Sequence, residues 1–106
     1  MINWERVNEL RDEVGAEDFK EVVDLFLEEV EEVLERLRDK PDPSRFEEDL
    51  HFLKGSALNL GFTALGDLCQ KGERQPEAVD FGSILKIYEA SKAEFLTSAV
   101  DLGFAA

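Results

Sequence analysis

Residues 44–74 of the chain read SRFEEDLHFLKGSALNLGFTALGDLCQKGER, and this stretch decides the fold. Ser44 followed three residues later by Glu47 has the form of a capping box. In that motif each side chain accepts a hydrogen bond from the backbone N–H of the other residue. The pattern predicts a helix that runs from about Arg45 to Leu60.

Another helix follows this one almost directly. Gly61 can adopt the left-handed conformation that ends a helix, and Thr63 can cap the next one. The inward apolar positions of that next helix are Leu65, Leu68 and Cys69. Two glycines within it, Gly66 and Gly72, lower its helix propensity. We expect the two helices to form an antiparallel hairpin with a very short connection.

Two further helices are predicted upstream. Asn3 can cap a short first helix, which Gly15 closes with a left-handed residue. From Glu17 to about Asp39 the chain has the pattern of a long amphipathic helix of about six turns. The segment Lys40-Pro41-Asp42-Pro43 then ends that pattern. The apolar positions are Trp4, Val7, Leu10 and Val14 in the first helix, and Phe19, Val22, Val23, Phe26, Leu27, Val30, Val33, Leu34 and Leu37 in the second.

Downstream, Gln75-Pro76-Glu77 breaks the chain again and Asp80 can cap a last helix. The apolar stripe of that helix is Phe81, Ile84, Leu85, Tyr88, Phe95, Ala99 and Leu102. None of these helices can bury its apolar face alone. We therefore expect an all-α protein with one domain over residues 1–106. Its architecture should be an up-down-up-down antiparallel four-helix bundle, with the short additional N-terminal helix lying over one end.

The charge of the chain restricts its partners. It has 25 acidic and 12 basic residues, which gives a formal net charge of −13. Nucleic acids and anionic membranes are polyanions that attract basic surfaces, so neither is expected to bind. The expected partner is another protein.

Three features bear on compartment and assembly. The single Cys69 cannot form an internal disulfide, and the N-terminal residues Met1-Ile2-Asn3-Trp4-Glu5-Arg6 lack the pattern of a signal peptide. No apolar run reaches membrane-spanning length. We therefore expect a cytoplasmic protein, and a monomer, because a closed bundle need not associate.

His51, the one histidine of the chain, is predicted on the outside of the bundle. At 100° per residue, the positions that must face the core are Phe46, Leu50, Leu53, Ala57 and Leu60, and they fall within an arc of about 80°. His51 lies well off that arc, and Lys54, Gly55 and Leu58 share its flank. The imidazole should therefore be accessible to another molecule.

The neighbours of His51 suit an incoming phosphoryl group. Helical side chains lean toward the N-terminus, so the residue that would cover His51 is Gly55, which has no side chain. The ammonium group of Lys54 would offset the charge of the phosphate. No acidic residue occurs between His51 and Gly66, although acids make up nearly a quarter of the chain. Close helix packing at Gly55 and a surface ion pair at Lys54 are the alternatives.

A reactive imidazole needs one unprotonated nitrogen and an acceptor for the N–H of the other. On the adjacent helix, Glu73 or Gln70 could be that acceptor. Leu58 and Phe62 are apolar residues expected near the histidine, where they could form a docking surface for a partner protein. Alternatively, these two side chains could pack under the next helix.

The residues from His51 onward resemble the core motif of the histidine-containing phosphotransfer (HPt) domain family. The motif is a His, any residue, Leu or Ile, Lys, Gly, two small residues, and a Gly ten positions after the His. The matching residues are His51, Leu53, Lys54, Gly55, Ser56, Ala57 and Gly61. The resemblance covers about Phe46 to Glu73 strongly and the flanking helices by pattern only.

The resemblance implies that His51 accepts a phosphoryl group from an aspartyl phosphate on a response-regulator receiver domain and passes it to another receiver. It also implies a hybrid histidine kinase as a further partner. In that family a Gln or Glu twenty-two positions after the histidine often orients the ring, and Glu73 has this spacing. No cofactor is expected on this chain, because the receiver would supply Mg²⁺. A nucleotide-binding glycine loop is absent, so we expect a phosphoryl carrier and not an enzyme of the kinase class.

Two rival functions are a metal site and a protein adaptor. The Glu48-Asp49-Leu50-His51 segment has the Glu-x-x-His spacing of di-iron bundles, but such a site needs a second histidine, so no metal site is expected. The stronger rival is an adaptor that binds a histidine kinase or receiver domain without being phosphorylated.

Overall fold

The computed structural model of the chain describes residues 2–40 and 42–101, with side chains up to residue 98. This part of the chain forms five α-helices and two short 3₁₀ turns. The helices are α1 (Trp4–Val14), α2 (Ala16–Asp39), α3 (Phe46–Leu60), α4 (Thr63–Arg74) and α5 (Phe81–Asp101), and the turns are Pro43–Arg45 and Pro76–Ala78. The all-α fold class is confirmed, and the up-down-up-down order of the helices stays a prediction.

The core lies between α2, α3, α4 and α5. Each of these helices packs against the next along the chain, and α5 also contacts α2, which closes the bundle. The predicted apolar faces supply most of the buried side chains. They are Phe19, Val23, Leu27, Val30, Val33, Leu34 and Leu37 from α2, Leu50, Leu53, Ala57 and Leu60 from α3, Leu65 and Cys69 from α4, and Ile84, Tyr88 and Phe95 from α5. Periodic burial of this kind is the main stabilising term of a helical bundle.

Helix α1 is anchored where α3 ends. The backbone N–H of Asn3 donates to the carbonyl oxygen of Gly61 over 2.7 Å. Arg6 donates from Nε to the carbonyl oxygen of Asn59 over 2.9 Å, and from its terminal nitrogen to the Asn59 side chain over 2.7 Å. These donors satisfy carbonyl groups that have no partner within the helix. The ring of Trp4 stacks on that of Phe95 of α5, with centroids 5.7 Å apart.

Two of the predicted helix caps are present in the structure, and the predicted capping box is not. Asn3 and Asp80 cap α1 and α5 as predicted, since their side chains accept from the N–H groups of Arg6 and Ser83. The predicted capping box at Ser44 and Glu47 is wrong. There the cap is Asp42, whose carboxylate accepts from both the N–H and the hydroxyl of Ser44, at 3.0 and 2.6 Å.

The physical reason is the proline at position 43. Its fixed φ starts a 3₁₀ turn one residue before Ser44, so Ser44 lies inside the turn and cannot be the residue that precedes the helix. Helix α3 itself begins after Arg45, without a side-chain cap.

Some predicted features lie outside the described residues. Leu102 and Pro41 are among them, and the side chain of Ala99 is not described. Among the helices that are described, none combines the length and apolar character that a membrane span requires.

Candidate functional site

His51 lies in the first half of α3 on the outer surface of the bundle. Its side chain is 73% exposed, whereas Leu50 and Leu53 on either side of it are fully buried. The contrast follows from the helical period, which directs these two leucines to the core and the imidazole away from it. The prediction that the ring is accessible from outside is confirmed.

The turn between α3 and α4 brings a second helix alongside the histidine. Gly61 has φ +94° and ψ 11°, the left-handed conformation that ends α3, and α4 begins two residues later at Thr63. A Cβ atom at Gly61 would lie 2.8 Å from the carbonyl oxygen of Asn3, so the close packing of α1 also requires a glycine here. The fourth helix is continuous to Arg74 despite its two glycines.

Helix α4 places Glu73 against the imidazole. Oε1 of Glu73 lies 3.4 Å from Nδ1 of His51, and the Glu73 side chain is only 17% exposed. Oε1 has no hydrogen-bond partner with good geometry, although it is shielded from solvent. Because the exposed ring is free to rotate, a small rotation would allow an Nδ1–H to donate to this oxygen. A buried acceptor directed at the ring would favour a proton on Nδ1 and leave Nε2 unprotonated.

Lys54 completes a three-residue cluster with His51 and Glu73, which we call the His51 cluster. Nζ of Lys54 donates to Oε2 of Glu73 over 3.3 Å, which leaves Oε1, the oxygen nearer the ring, without a hydrogen-bond donor. The lysine is 23% exposed, and the pair lies at the edge of the bundle. In the unphosphorylated protein the ammonium charge of Lys54 is therefore balanced by the carboxylate of Glu73.

Gly55 leaves open space beside the ring. A Cβ atom built at this position would have no other atom within 4 Å apart from its own helix and chain neighbours. Close approach of another helix is therefore not the reason for this glycine, and that alternative is wrong. The fold would accept a side chain here, so the free volume is available to something outside the chain.

The two residues expected to dock a partner differ in exposure. Leu58 is 45% exposed on the His51 flank, as predicted. Phe62 is 1% exposed, so its expected place on a docking surface is wrong. The left-handed turn at Gly61 directs Phe62 inward, where its ring packs against Phe95 and Tyr88 with centroids 5.7 and 6.5 Å away.

Phe52 is an exposed aromatic side chain that the sequence reasoning did not select. It follows His51 directly and is 40% exposed. The rotation that places the histidine outside puts the next residue outside as well, because the core arc is narrow. The helical period of α3 could therefore have identified Phe52 as an exposed residue.

Gln70 and Cys69, two other side chains of α4, do not contribute to the His51 cluster. Gln70 lines a surface groove with Lys71 and Arg74, and the α4 side chain found at the ring of His51 is Glu73. Cys69 is completely buried below the cluster. Burial, together with the nearby charge of Glu73, raises the pKa of its thiol to about 12. Such a thiol is not a nucleophile near neutral pH.

Polar groups away from the His51 cluster include an ion pair that connects two helices. Asp49, which is 5% exposed, pairs with Arg36 and so ties α3 to α2. Among the side chains that the structure describes, no three from His, Cys, Asp or Glu are arranged to hold a metal ion.

Fold and site together define a class of protein, a helical bundle that presents one imidazole, backed by a carboxylate, to an outside molecule. Residues 21–94 match the family model of the Hpt domain. The chain belongs to the Hpt domain family, whose members are phosphotransfer carrier modules of two-component phosphorelays and not kinase domains. Comparisons with curated proteins and with solved structures gave no significant match.

Proposed function

We propose that this chain is a histidine phosphotransfer protein that carries a phosphoryl group between receiver-domain aspartates on Nε2 of His51. The observation that carries the proposal is the geometry of the ring. The imidazole is 73% exposed, and a shielded carboxylate oxygen lies 3.4 Å from the nitrogen that would not react.

In the transfer step, the lone pair of Nε2 attacks the phosphorus of an aspartyl phosphate. The N–P bond forms while the P–O bond to the aspartate breaks, and its electron pair leaves with the aspartate carboxylate. Transfer to the next receiver reverses this exchange, as its aspartate attacks phosphorus and the N–P bond breaks. The loose transition state requires alignment and charge stabilisation more than covalent assistance from the carrier.

Glu73 has two tasks in this step. Accepting a hydrogen bond from Nδ1–H holds the ring in the tautomer with a free Nε2. The positive charge that develops on the ring as the N–P bond forms is also stabilised by the carboxylate. Since Oε1 has no other hydrogen-bond partner within the described residues, it is available for the ring.

Lys54 is placed to respond to the arriving phosphate. It is held by Glu73 in the unphosphorylated protein, at 3.3 Å, and it is one helical turn from the ring. An ammonium at this position can turn to the phosphoryl oxygens and offset their charge. Mg²⁺, which activates the aspartyl phosphate, belongs to the receiver partner.

The partner should dock over the His51 flank. Leu58 offers exposed apolar surface there, Phe52 adds more on the adjoining outer face of α3, and a Cβ atom at Gly55 would meet nothing within 4 Å. Apolar side chains beside a reactive group commonly form the centre of a protein interface.

The test is direct transfer of phosphate. A receiver charged with radiolabelled acetyl phosphate and Mg²⁺ is mixed with the protein, and the label on the chain is tested for stability in acid and base. We expect an acid-labile, base-stable label that His51→Gln abolishes. Glu48→Gln, a change on the same helix at a side chain that is 75% exposed, should keep the label.

The cognate receiver is found by profiling every receiver domain of the source organism and comparing rates at short times. A wild-type chain that no receiver labels, or a label that survives in His51→Gln, would overturn the proposal. In the first case, binding of a receiver without transfer would identify the chain as an adaptor.

A further inference from the structure

We propose that Gly72 is a positioning residue for phosphoryl transfer, because its missing side chain lets α4 approach α3 closely enough to place Glu73 against His51. This inference rests on the proposed function of His51. From the sequence alone, Gly72 is only a residue that lowers the helix propensity of α4.

The contact at Gly72 leaves no room for a side chain. A Cβ atom there would lie 2.9 Å from Cδ1 of Leu50, and 3.5 and 3.7 Å from two atoms of Val79. Carbon atoms in ordinary contact are about 3.5–4.0 Å apart, so a methyl group at position 72 requires a shift of about 0.6 Å. Leu50 is fully buried and cannot swing into solvent to provide it.

The contact between Leu50 and Gly72 also affects the geometry of the His51 cluster, because each of these residues directly precedes a member of the cluster. Leu50 precedes His51 on α3, and Gly72 precedes Glu73 on α4. The distance from Nδ1 of His51 to Oε1 of Glu73 is already 3.4 Å. A further separation of the helices by about 0.6 Å moves that oxygen to about 4.0 Å, where a small rotation of the ring no longer brings Nδ1–H within hydrogen-bond distance. Gly72 therefore determines the distance from Nδ1 of His51 to Oε1 of Glu73, and the tautomer of the ring depends on this distance.

Gly66 supplies a matched control on the same helix. A Cβ atom there would lie 2.7 Å from Cδ2 of Leu58, a closer contact than the one at Gly72. Leu58, however, is 45% exposed, so its side chain can rotate outward without moving either helix. Gly66→Ala should leave the position of Glu73 unchanged.

The first experiment measures the tautomer of His51 by long-range ¹H–¹⁵N NMR. The chain has one histidine, so the imidazole signals need no assignment. We expect mainly the Nδ1–H tautomer in the wild type and in Gly66→Ala, and a shift toward Nε2–H in Gly72→Ala. The double variant Leu50→Val with Gly72→Ala lacks the clashing Cδ1 atom and should return to the wild-type tautomer.

The second experiment measures single-turnover transfer from a charged receiver. Gly72→Ala should slow transfer about tenfold, because a sub-ångström misplacement of an orienting group already slows a reaction substantially. Leu50→Val should restore the rate in the double variant. In a Glu73→Ala background, Gly72→Ala should slow transfer no further, because it acts through Glu73.

The outcomes separate the two proposals. If wild type is labelled but Gly72→Ala keeps both the tautomer and the rate, the role of Gly72 is refuted. The same holds if Leu50→Val gives no rescue, or if Gly72→Ala is equally harmful without Glu73. If Gly72→Ala does not fold by itself, the double variant with Leu50→Val is decisive: the wild-type tautomer and rate support the role of Gly72, and an Nε2–H tautomer or slow transfer refutes it. Failure to label the wild type refutes the function of His51 itself.

Discussion

Replacing Gly55 by alanine should make the protein more stable and a poorer phosphate carrier. Gly55 lies inside α3, is exposed, and would meet no other part of the chain with a Cβ atom. Its backbone is helical, so alanine fits without strain. The substitution therefore removes the conformational freedom of glycine in the unfolded chain and adds no clash in the folded one.

The size of the stability gain follows from helix propensity. Alanine in place of an exposed helical glycine is worth about 0.5–1 kcal/mol. Globular proteins of this length have an unfolding entropy of about 0.2 kcal/mol/K, at about 2.1 cal/mol/K per residue. The melting temperature should therefore rise by about 2–5 °C.

The effect on transfer has the opposite sign if a receiver occupies the space beside His51. A methyl group in a well-fitted contact costs about 1 kcal/mol or more, which corresponds to about a fivefold slower transfer. Gly55→Gln should slow transfer further while the fold stays intact. Thermal unfolding and single-turnover transfer from a charged receiver measure the two effects.

A matched control is Ala90→Gln, which adds a side chain at an exposed position of α5. It should leave transfer unchanged. An unchanged rate in both Gly55 variants would refute the view that the glycine provides clearance for the partner. A lower melting temperature in Gly55→Ala would show that the fold itself needs this glycine.

Three further predictions concern the frame of the bundle. The thiol of Cys69, whose pKa burial raises to about 12, should react with a thiol reagent at pH 8 only after unfolding in denaturant. Burial alone would raise the pKa of Glu31, but hydrogen bonds from Lys92 and Tyr88 outweigh it and lower this pKa below 4.5. The stability from Glu31 should be complete above pH 4.5 and be lost as pH falls through the lower folded-state value, so the deficit of Glu31→Gln in urea unfolding should shrink in acid. Arg36→Met should destabilise the protein by about 1–3 kcal/mol in urea unfolding, because the buried carboxylate of Asp49 then lacks its partner.

Each of these predictions has a contrary result. Rapid labelling of native Cys69 would show that the core below the His51 cluster opens readily. A deficit of Glu31→Gln that is constant from neutral to acidic pH would exclude the lowered pKa. If Arg36→Met is as stable as wild type, the ion pair between α2 and α3 contributes nothing to the fold.

The helices and their inward faces could be predicted because burial repeats with the period of the helix. Leu50, Leu53 and Ala57 were assigned to the core from spacing alone, and they are buried. The same spacing predicted the exposed position of His51. The site motif was also readable, because its residues lie within one helix and the turn after it.

Other features could not be read from local pattern. Phe62 lies beyond the end of α3, where helical spacing no longer specifies a direction, and its place is decided by the rings of α5. The cap at Asp42 replaced the expected capping box because Pro43 starts a turn of its own. The choice between Glu73 and Gln70 depended on how α4 is rotated against α3, which neither helix specifies alone.

By itself, the sequence determined that this protein is helical, acidic and built around an outward imidazole with a lysine and a glycine on its flank. These properties depend on residue type and on the period of one helix, which act over a few residues. Only the tertiary structure decided that the carboxylate of Glu73 stands behind the ring and that Gly72 allows it to do so. That arrangement depends on the distance between two helices, and such a distance is set by side chains that meet across the bundle and not by those that are neighbours in the chain.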